Sequence, residues 1–186
     1  MEQPAAAEAP REGDDDESAA IAAPSLAAAR GFLSRIDDET VLARIACGTS
    51  VQEVGKAALR RVQAANLLAL VACTARERHV AQGALAALAR TRDLPALARI
   101  ATEARDEVVA RTAVKHIDDD ATLVALAIGG RDVVARLAAR SIRSGESLAR
   151  VAATAGNVDV RRAAAQRISD DETLRDLAVT QEDAAI

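Results

Sequence analysis

The chain has 186 residues and a formal net charge of −4, and 50% of it is hydrophobic although only 1% is aromatic. Because tryptophan and tyrosine are absent, any core has to be built from alanine, valine, leucine and isoleucine. This composition disfavours a β-sandwich or barrel, whose strands prefer aromatic and β-branched residues, and it favours helices.

The first 24 residues differ in charge from the rest of the chain. Residues 1–24 contain seven acidic residues and one arginine, and they include almost no large apolar residue. Such a segment cannot bury enough apolar surface to offset the entropy lost on ordering. The sequence therefore predicts a disordered acidic tail over 1–24 and a folded domain over 25–186.

From residue 25 onward, a motif recurs about every 26 residues. Each copy ends in Leu-x-x-Φ-Ala, where Φ is a branched apolar residue, and the i, i+3, i+4 spacing places the three side chains on one face of a helix. We name these predicted helices the A helices. Their signatures are Leu42/Ile45/Ala46, Leu68/Val71/Ala72, Leu97/Ile100/Ala101, Leu123/Leu126/Ala127, Leu148/Val151/Ala152 and Leu174/Leu177/Ala178.

A second signature, Val-x3-Ala-x3-Φ, lies between successive A helices. Its i, i+4, i+8 row is again one helical stripe, and the central alanine permits close helix approach. We name these the B helices. Their signatures are Val54/Ala58/Val62, Val80/Ala84/Leu88, Val109/Ala113/Ile117, Val134/Ala138/Ile142 and Val160/Ala164/Ile168.

Alternating short helices that cannot bury their apolar faces alone predict an all-α, right-handed α-α superhelix, or solenoid. Five complete repeats are expected, flanked by a B-type helix (25–36) and an A-type helix (170–181). In the first of these, Phe32 is expected at the position that alanine occupies in the internal B helices.

The run VDVRRAAAQRI at 158–168 resembles the core of HEAT-like repeats, including the short form in phycobilisome-lyase-type proteins. The resemblance implies a binding surface rather than an enzyme, with the B helices on the concave side.

The acidic clusters, the two histidines and the two cysteines are predicted to have structural rather than catalytic or metal-binding roles. The clusters Asp37/Asp38/Glu39, Asp118/Asp119/Asp120 and Asp170/Asp171/Glu172 recur at predicted helix starts, where carboxylates cap free amides. We expect His79 and His116 on the surface, and Cys47 and Cys73 as packing residues rather than a disulfide. No nucleophile–base set, P-loop or dinucleotide motif is present, so no enzymatic activity, metal or cofactor is predicted.

One predicted surface carries charge of a single sign. The residues two and six positions after each B-helix valine point away from the apolar stripe, and seven of these ten are basic. We name these seven the basic stripe: Lys56, Arg60, Arg111, Lys115, Arg136, Arg140 and Arg162. A solvated helix face is one explanation of the stripe, and a basic groove for a partner is the other.

The basic groove predicts a non-enzymatic scaffold or adaptor that binds an acidic protein segment. The alternative is nucleic-acid binding through phosphates, which the lack of stacking aromatics and the pI of about 5.3 disfavour.

The acidic tail is expected to fold back on the groove and compete with such a ligand. The predicted C-terminal A helix has no B helix after it, which favours end-to-end self-association or a partner protein. No membrane span is predicted, and two cysteines suggest a cytoplasmic protein.

Overall fold

The computed structural model describes residues 12–168, and all regular structure in this range is α-helical. The predicted all-α class is therefore confirmed. The helices are α1 (Glu12–Ala22), α2 (Leu26–Leu33), α3 (Glu39–Gly48), α4 (Gln52–Leu59), α5 (Ala65–Thr74), α6 (Arg78–Thr91), α7 (Leu94–Glu103), α8 (Glu107–Lys115), α9 (Asp120–Gly129), α10 (Asp132–Ser141), α11 (Gly145–Thr154) and α12 (Val158–Ala165). The predicted A-type helix over 170–181, at which end-to-end self-association or partner binding is expected, lies outside the described range.

The helices form six pairs arranged in two rows. Within each pair an odd-numbered helix packs against the even-numbered helix that follows it. Each odd-numbered helix also packs against the next odd-numbered one, and the even-numbered helices do the same. The odd-numbered helices are the A helices, and the even-numbered helices are the B helices.

The two sequence signatures supply the core between the rows. The apolar triplets of α3, α5, α7, α9 and α11 are all buried, and the Val and Ala of every B-helix signature are at most 1% exposed. Alanine at the centre of each B-helix row leaves space for a neighbouring helix to approach closely. Since these positions were assigned from spacing alone, their burial confirms the predicted register of both helix types.

The first helix pair corrects the prediction of a disordered tail for residues 12–22. These residues form α1, which packs against α2 and α3 and buries Ala20 completely. The side chain of Ile21 lies over Gly48, so that a Cβ added there would be 3.3 Å from Ile21 Cδ1. The acidic segment thus supplies the A helix of the first pair, while residues 1–11 lie outside the described range.

Ion pairs explain how an acidic segment can pack there. Arg35 Nε donates to Asp16 Oδ2 at 2.8 Å, and its Nη2 donates to the other carboxylate oxygen. Arg44 holds Glu17 in the same bidentate way, at 2.8 and 2.6 Å. Composition does not reveal these partners, because both arginines lie in the repeats that follow.

The length of α2 differs from the prediction, whereas its 26-residue register relative to α4 does not. The helix spans Leu26–Leu33 rather than 25–36, and Ser25 accepts a hydrogen bond from Ala28 N as its N-cap. Leu33 is buried, whereas Phe32 is half-buried beneath the Arg35 guanidinium. Because α2 begins and ends 26 residues before α4, Phe32 aligns with Ala58 as predicted, although Leu33 is more deeply buried than Phe32.

Helices α4 and α6 approach so closely at Gly55 that a side chain there would overlap with its neighbours. A Cβ at this position would lie 2.7 Å from Val80 Cγ2, and Val80 is fully buried. Gly55→Ala is therefore expected to lower the free energy of unfolding by about 1 kcal/mol, because overpacking outweighs the gain in helix propensity. Urea unfolding measures the change.

Gly31→Ala in α2 is the matched control for that substitution. A Cβ there has no heavy atom within 4 Å, so only the helix propensity changes. We expect Gly31→Ala to raise the free energy of unfolding by about 0.5–1 kcal/mol. Shifts of the same sign in both variants would contradict the close approach at Gly55.

One repeat is three residues longer than 26, because Leu68 and Leu97 are 29 residues apart. The additional residues lie in α6 and its C-cap. This helix has 14 residues, against eight to eleven in the other helices of the described range. The helix ends at Thr91 and its C-cap is Arg92, whose φ of 52° is the only positive φ between residues 12 and 168. The buried Val80/Ala84/Leu88 row is unaffected, because the extension lies beyond it.

Candidate functional site

The acidic clusters at A-helix starts act as caps in the part of the chain that the structure describes. Asp38 accepts a hydrogen bond from Thr40 N at 2.7 Å, and Asp119 accepts from Thr122 N and its hydroxyl at 2.7 Å. These contacts confirm the predicted capping role at α3 and α9. Within residues 12–168, no group of three His, Cys, Asp or Glu side chains is placed to hold a metal ion.

The residue after each of these caps joins two helix pairs. The Glu39 carboxylate accepts from the backbone N–H groups of Gln63 and Ala64, both at 2.9 Å, at the start of α5. Ala64 is the N-cap of that helix and Gln63 precedes it, so Glu39 ties the start of α5 to the start of α3 without replacing the missing N-cap side chain. Asp120 makes the same kind of contact with the N–H groups of residues 143 and 144 before α11.

These carboxylates make the stability of the fold sensitive to acid. Hydrogen bonds from Thr122 hold the pKa of Asp119 below its usual value, and those from Ala64 and Gln63 do the same for the pKa of Glu39. A lowered folded-state pKa contributes stability that is present above the unfolded-state pKa of about 4 and is lost as the pH falls through the folded-state value.

Asp119→Asn tests this linkage, because asparagine keeps the capping acceptor but cannot titrate. We expect the variant to be less stable than wild type at pH 7, and the difference to shrink as the pH falls from about 5 to 2. Urea unfolding over a pH series gives both curves. Parallel curves throughout would show that the ionised form of Asp119 adds nothing to stability.

The thiols and imidazoles lie where the sequence predicts. Cys47 and Cys73 are both free, and burial raises the pKa of the Cys73 thiol to about 11. Burial also raises the pKa of Cys47, which accepts a hydrogen bond from Thr74 Oγ1 at 3.2 Å. His79 and His116 are both exposed.

The basic stripe lies along the B helices. Six of its seven side chains are exposed, and that of Lys56 is half-buried. Lys56 and Arg60 lie on α4, and the other five lie on α8, α10 and α12. Between these two groups lies α6, which has Gln82 and Ala86 at the equivalent positions. The structure therefore divides the predicted stripe into a smaller and a larger basic region.

Three members of the stripe meet at a single open cavity between α8 and α10. We name it the α8–α10 cavity; its volume is about 380 Å³. Its lining residues are Glu107, Arg111, Val133, Arg136, Leu137 and Arg140. Lys115 and Arg162 lie on the same row of helices but do not line it.

Sequence reasoning missed the apolar part of this cavity. Val133 and Leu137 are half-buried on α10, one turn apart, one position before and three positions after the buried Val134. The predicted stripe consists of the residues two and six positions after each B-helix valine, so it does not include Val133 or Leu137. Two large aliphatic residues at these flanking positions are the signal that could have identified it.

Charge in the cavity is distributed unevenly. Arg111 lies 3.8 Å from Glu107, on the α8 side. Arg136 and Arg140 make no ion pair with any carboxylate among the side chains that the structure describes, residues 15–168. The α10 side therefore presents two uncompensated guanidinium groups beside an aliphatic surface, an arrangement that can hold carboxylates or phosphates.

None of the helices between residues 12 and 168 combines the length and apolar character that a membrane crossing requires. Comparison of the chain with family models, with curated proteins and with solved structures finds no match. The chemistry of the B-helix row is therefore what indicates a function.

Proposed function

We propose that this chain is a non-enzymatic interaction scaffold that binds an acidic protein segment along its B-helix row. The observation that carries the proposal is the pair of uncompensated guanidinium groups of Arg136 and Arg140 beside an open cavity. Arginine suits carboxylate recognition because its planar fork can donate two parallel hydrogen bonds to one carboxylate.

We propose further that the two rows of helices form a right-handed solenoid similar to HEAT-like repeats. Support comes from the ordered packing of each row and from the roughly 26-residue spacing of both signatures. In such a solenoid the B helices would form the concave side, and a peptide could contact several of them at once. The two cysteines are free, which supports a reducing compartment such as the cytoplasm.

An acidic peptide is favoured over nucleic acid by what surrounds the arginines. The chain offers a single aromatic residue, Phe32, which is half-buried beneath Arg35 in α2 and so is not available for base stacking near the cavity. Proteins that bind single strands depend on aromatic platforms, and duplex binders carry a strongly basic surface.

The double variant Arg136→Gln/Arg140→Gln tests the proposal. We expect it to weaken binding of a fluorescent Glu-rich peptide about tenfold at about 50 mM salt, because charge-assisted hydrogen bonds are lost. The matched control is Arg99→Gln/Arg150→Gln, which removes the same charge from A helices α7 and α11. Fluorescence anisotropy, with duplex DNA of similar charge as a second ligand, gives the affinities.

Equal loss in the two double variants would mean that net charge alone attracts the peptide, and the proposed site would be wrong. Tighter binding of duplex DNA than of peptide at the same salt would replace the proposal with nucleic-acid binding. No binding of either polyanion by wild type would identify the basic stripe as a solvated face.

A further inference from the structure

We infer that the α8–α10 cavity takes an acidic segment that also carries an aliphatic side chain, which enters the cavity over Val133 and Leu137. The carboxylates of the same segment pair with the exposed side chains of Arg136 and Arg140, which also line the cavity. This inference rests on the proposed function and deepens it, because it names what distinguishes the bound segment from any other polyanion.

The first support is the form of the cavity. Its volume of about 380 Å³ lies at the lower end of the range for ligand pockets, and it opens to solvent between two exposed helix faces. Val133 and Leu137 each keep part of their side chains accessible there. Covering that surface with an aliphatic group removes apolar area from water, which charge pairing alone does not achieve.

The second support is that this apolar pair is confined to one B helix. The equivalent positions elsewhere are Glu53/Ala57 on α4, His79/Gly83 on α6, Val108/Thr112 on α8 and Asp159/Ala163 on α12. Among the B helices whose anchor valine defines these positions, α4 to α12, only α10 has a large aliphatic residue at both. On the row, α10 is therefore the helix that offers an aliphatic side chain of the ligand two large aliphatic contacts one turn apart at these positions.

The third support is the spacing of the charges. Arg136 and Arg140 lie four residues apart on a helix, which corresponds to a rise of about 6 Å along its axis. Alternate side chains of an extended peptide lie on one face and are about 6.6–6.8 Å apart. An acid-x-acid sequence in extended form can therefore address both guanidinium groups, and an aliphatic residue two positions further lies on the same face.

Two peptides that differ at one position test the inference. The first is Ser-Glu-Ser-Glu-Ser-Leu-Ser, and in the second serine replaces the leucine. We expect wild type to bind the leucine peptide about fivefold more tightly, as partial burial of an aliphatic side chain implies. Isothermal titration at about 50 mM salt measures both affinities on the full chain.

Leu137→Ala locates the preference, and Leu67→Ala, at a half-buried leucine on A helix α5, is its matched control. Melting curves establish that both variants fold. We expect Leu137→Ala to bind the two peptides equally and Leu67→Ala to keep the fivefold preference.

Equal binding of the two peptides by wild type would overturn the inference and leave the proposed acidic scaffold standing. A preference that survives Leu137→Ala would place the aliphatic contact elsewhere, and this also overturns the inference. Failure of wild type to bind either peptide would overturn the inference and the proposed function together.

Discussion

Replacing Val134 with aspartate is expected to lower the free energy of unfolding by about 4 kcal/mol, because it buries a carboxylate with no partner. Val134 is 1% exposed in α10, which packs against α8, α9 and α12. A loss of this size is a large share of the stability of an ordinary domain. Urea unfolding measures it, and hydrogen exchange should show protection falling first in α8, α10 and α12.

Val158→Asp is the matched control for that substitution. Val158 is 54% exposed at the first position of α12, so the same chemical change leaves the carboxylate in water and near a helix N-terminus. We expect its unfolding curve to overlay that of wild type within about 0.5 kcal/mol. If Val134→Asp behaved like Val158→Asp, the B-helix register would be wrong.

Substituting aspartate for Ala20 is expected to lower the melting temperature and to cost about 2 kcal/mol. Ala20 has no exposed surface, and the new carboxylate would enter the contact that α1 makes with α2 and α3. The expected cost is smaller than at Val134, because α1 is the first helix of the described stack. Calorimetry gives the melting temperature, and hydrogen exchange reports whether the loss begins at α1.

Ser18→Asp provides the comparison, since Ser18 is exposed on the same helix. Its melting curve should stay close to that of wild type. An Ala20→Asp variant that melts like Ser18→Asp would restore the original prediction, namely that this acidic segment contributes nothing to the fold.

The predictable part of the fold was the part that repeats. Val54, Val80, Val109, Val134 and Val160 share one spacing relative to an alanine four residues later, and all five are buried as that spacing requires. Repetition turns a weak local preference into a strong one, because each copy tests the same helical face independently.

The sequence does not predict α1 because this helix lacks the leucine of the Leu-x-x-Φ-Ala signature. Asp16 lies 26 residues before Leu42, so the leucine that identifies an A helix is absent. The signal that remained was Ala20, which precedes Ala46 by the same 26 residues. The contacts of α1 include the pairing of Arg35 and Arg44 with its acids, and such long-range contacts leave no periodic trace in composition.

The candidate site was predicted in its charge but not in its shape. Arg111, Arg136 and Arg140 followed from helical geometry, and the structure brings these three together at one cavity. Lys56 and Arg60 are separated from them by α6, whose equivalent positions hold Gln82 and Ala86. The cavity itself depends on half-buried side chains, and a division of residues into core and surface omits that class.

The extended α6 has a consequence for protein engineering. Three residues have been accommodated there without disturbing the buried row that ends at Leu88, because the added length lies after the last core contact. Residues 90–92 are exposed, and the chain already turns through a left-handed residue before α7 begins. This junction is accordingly the natural point for grafting a reporter peptide, since foreign sequence would leave both rows in register.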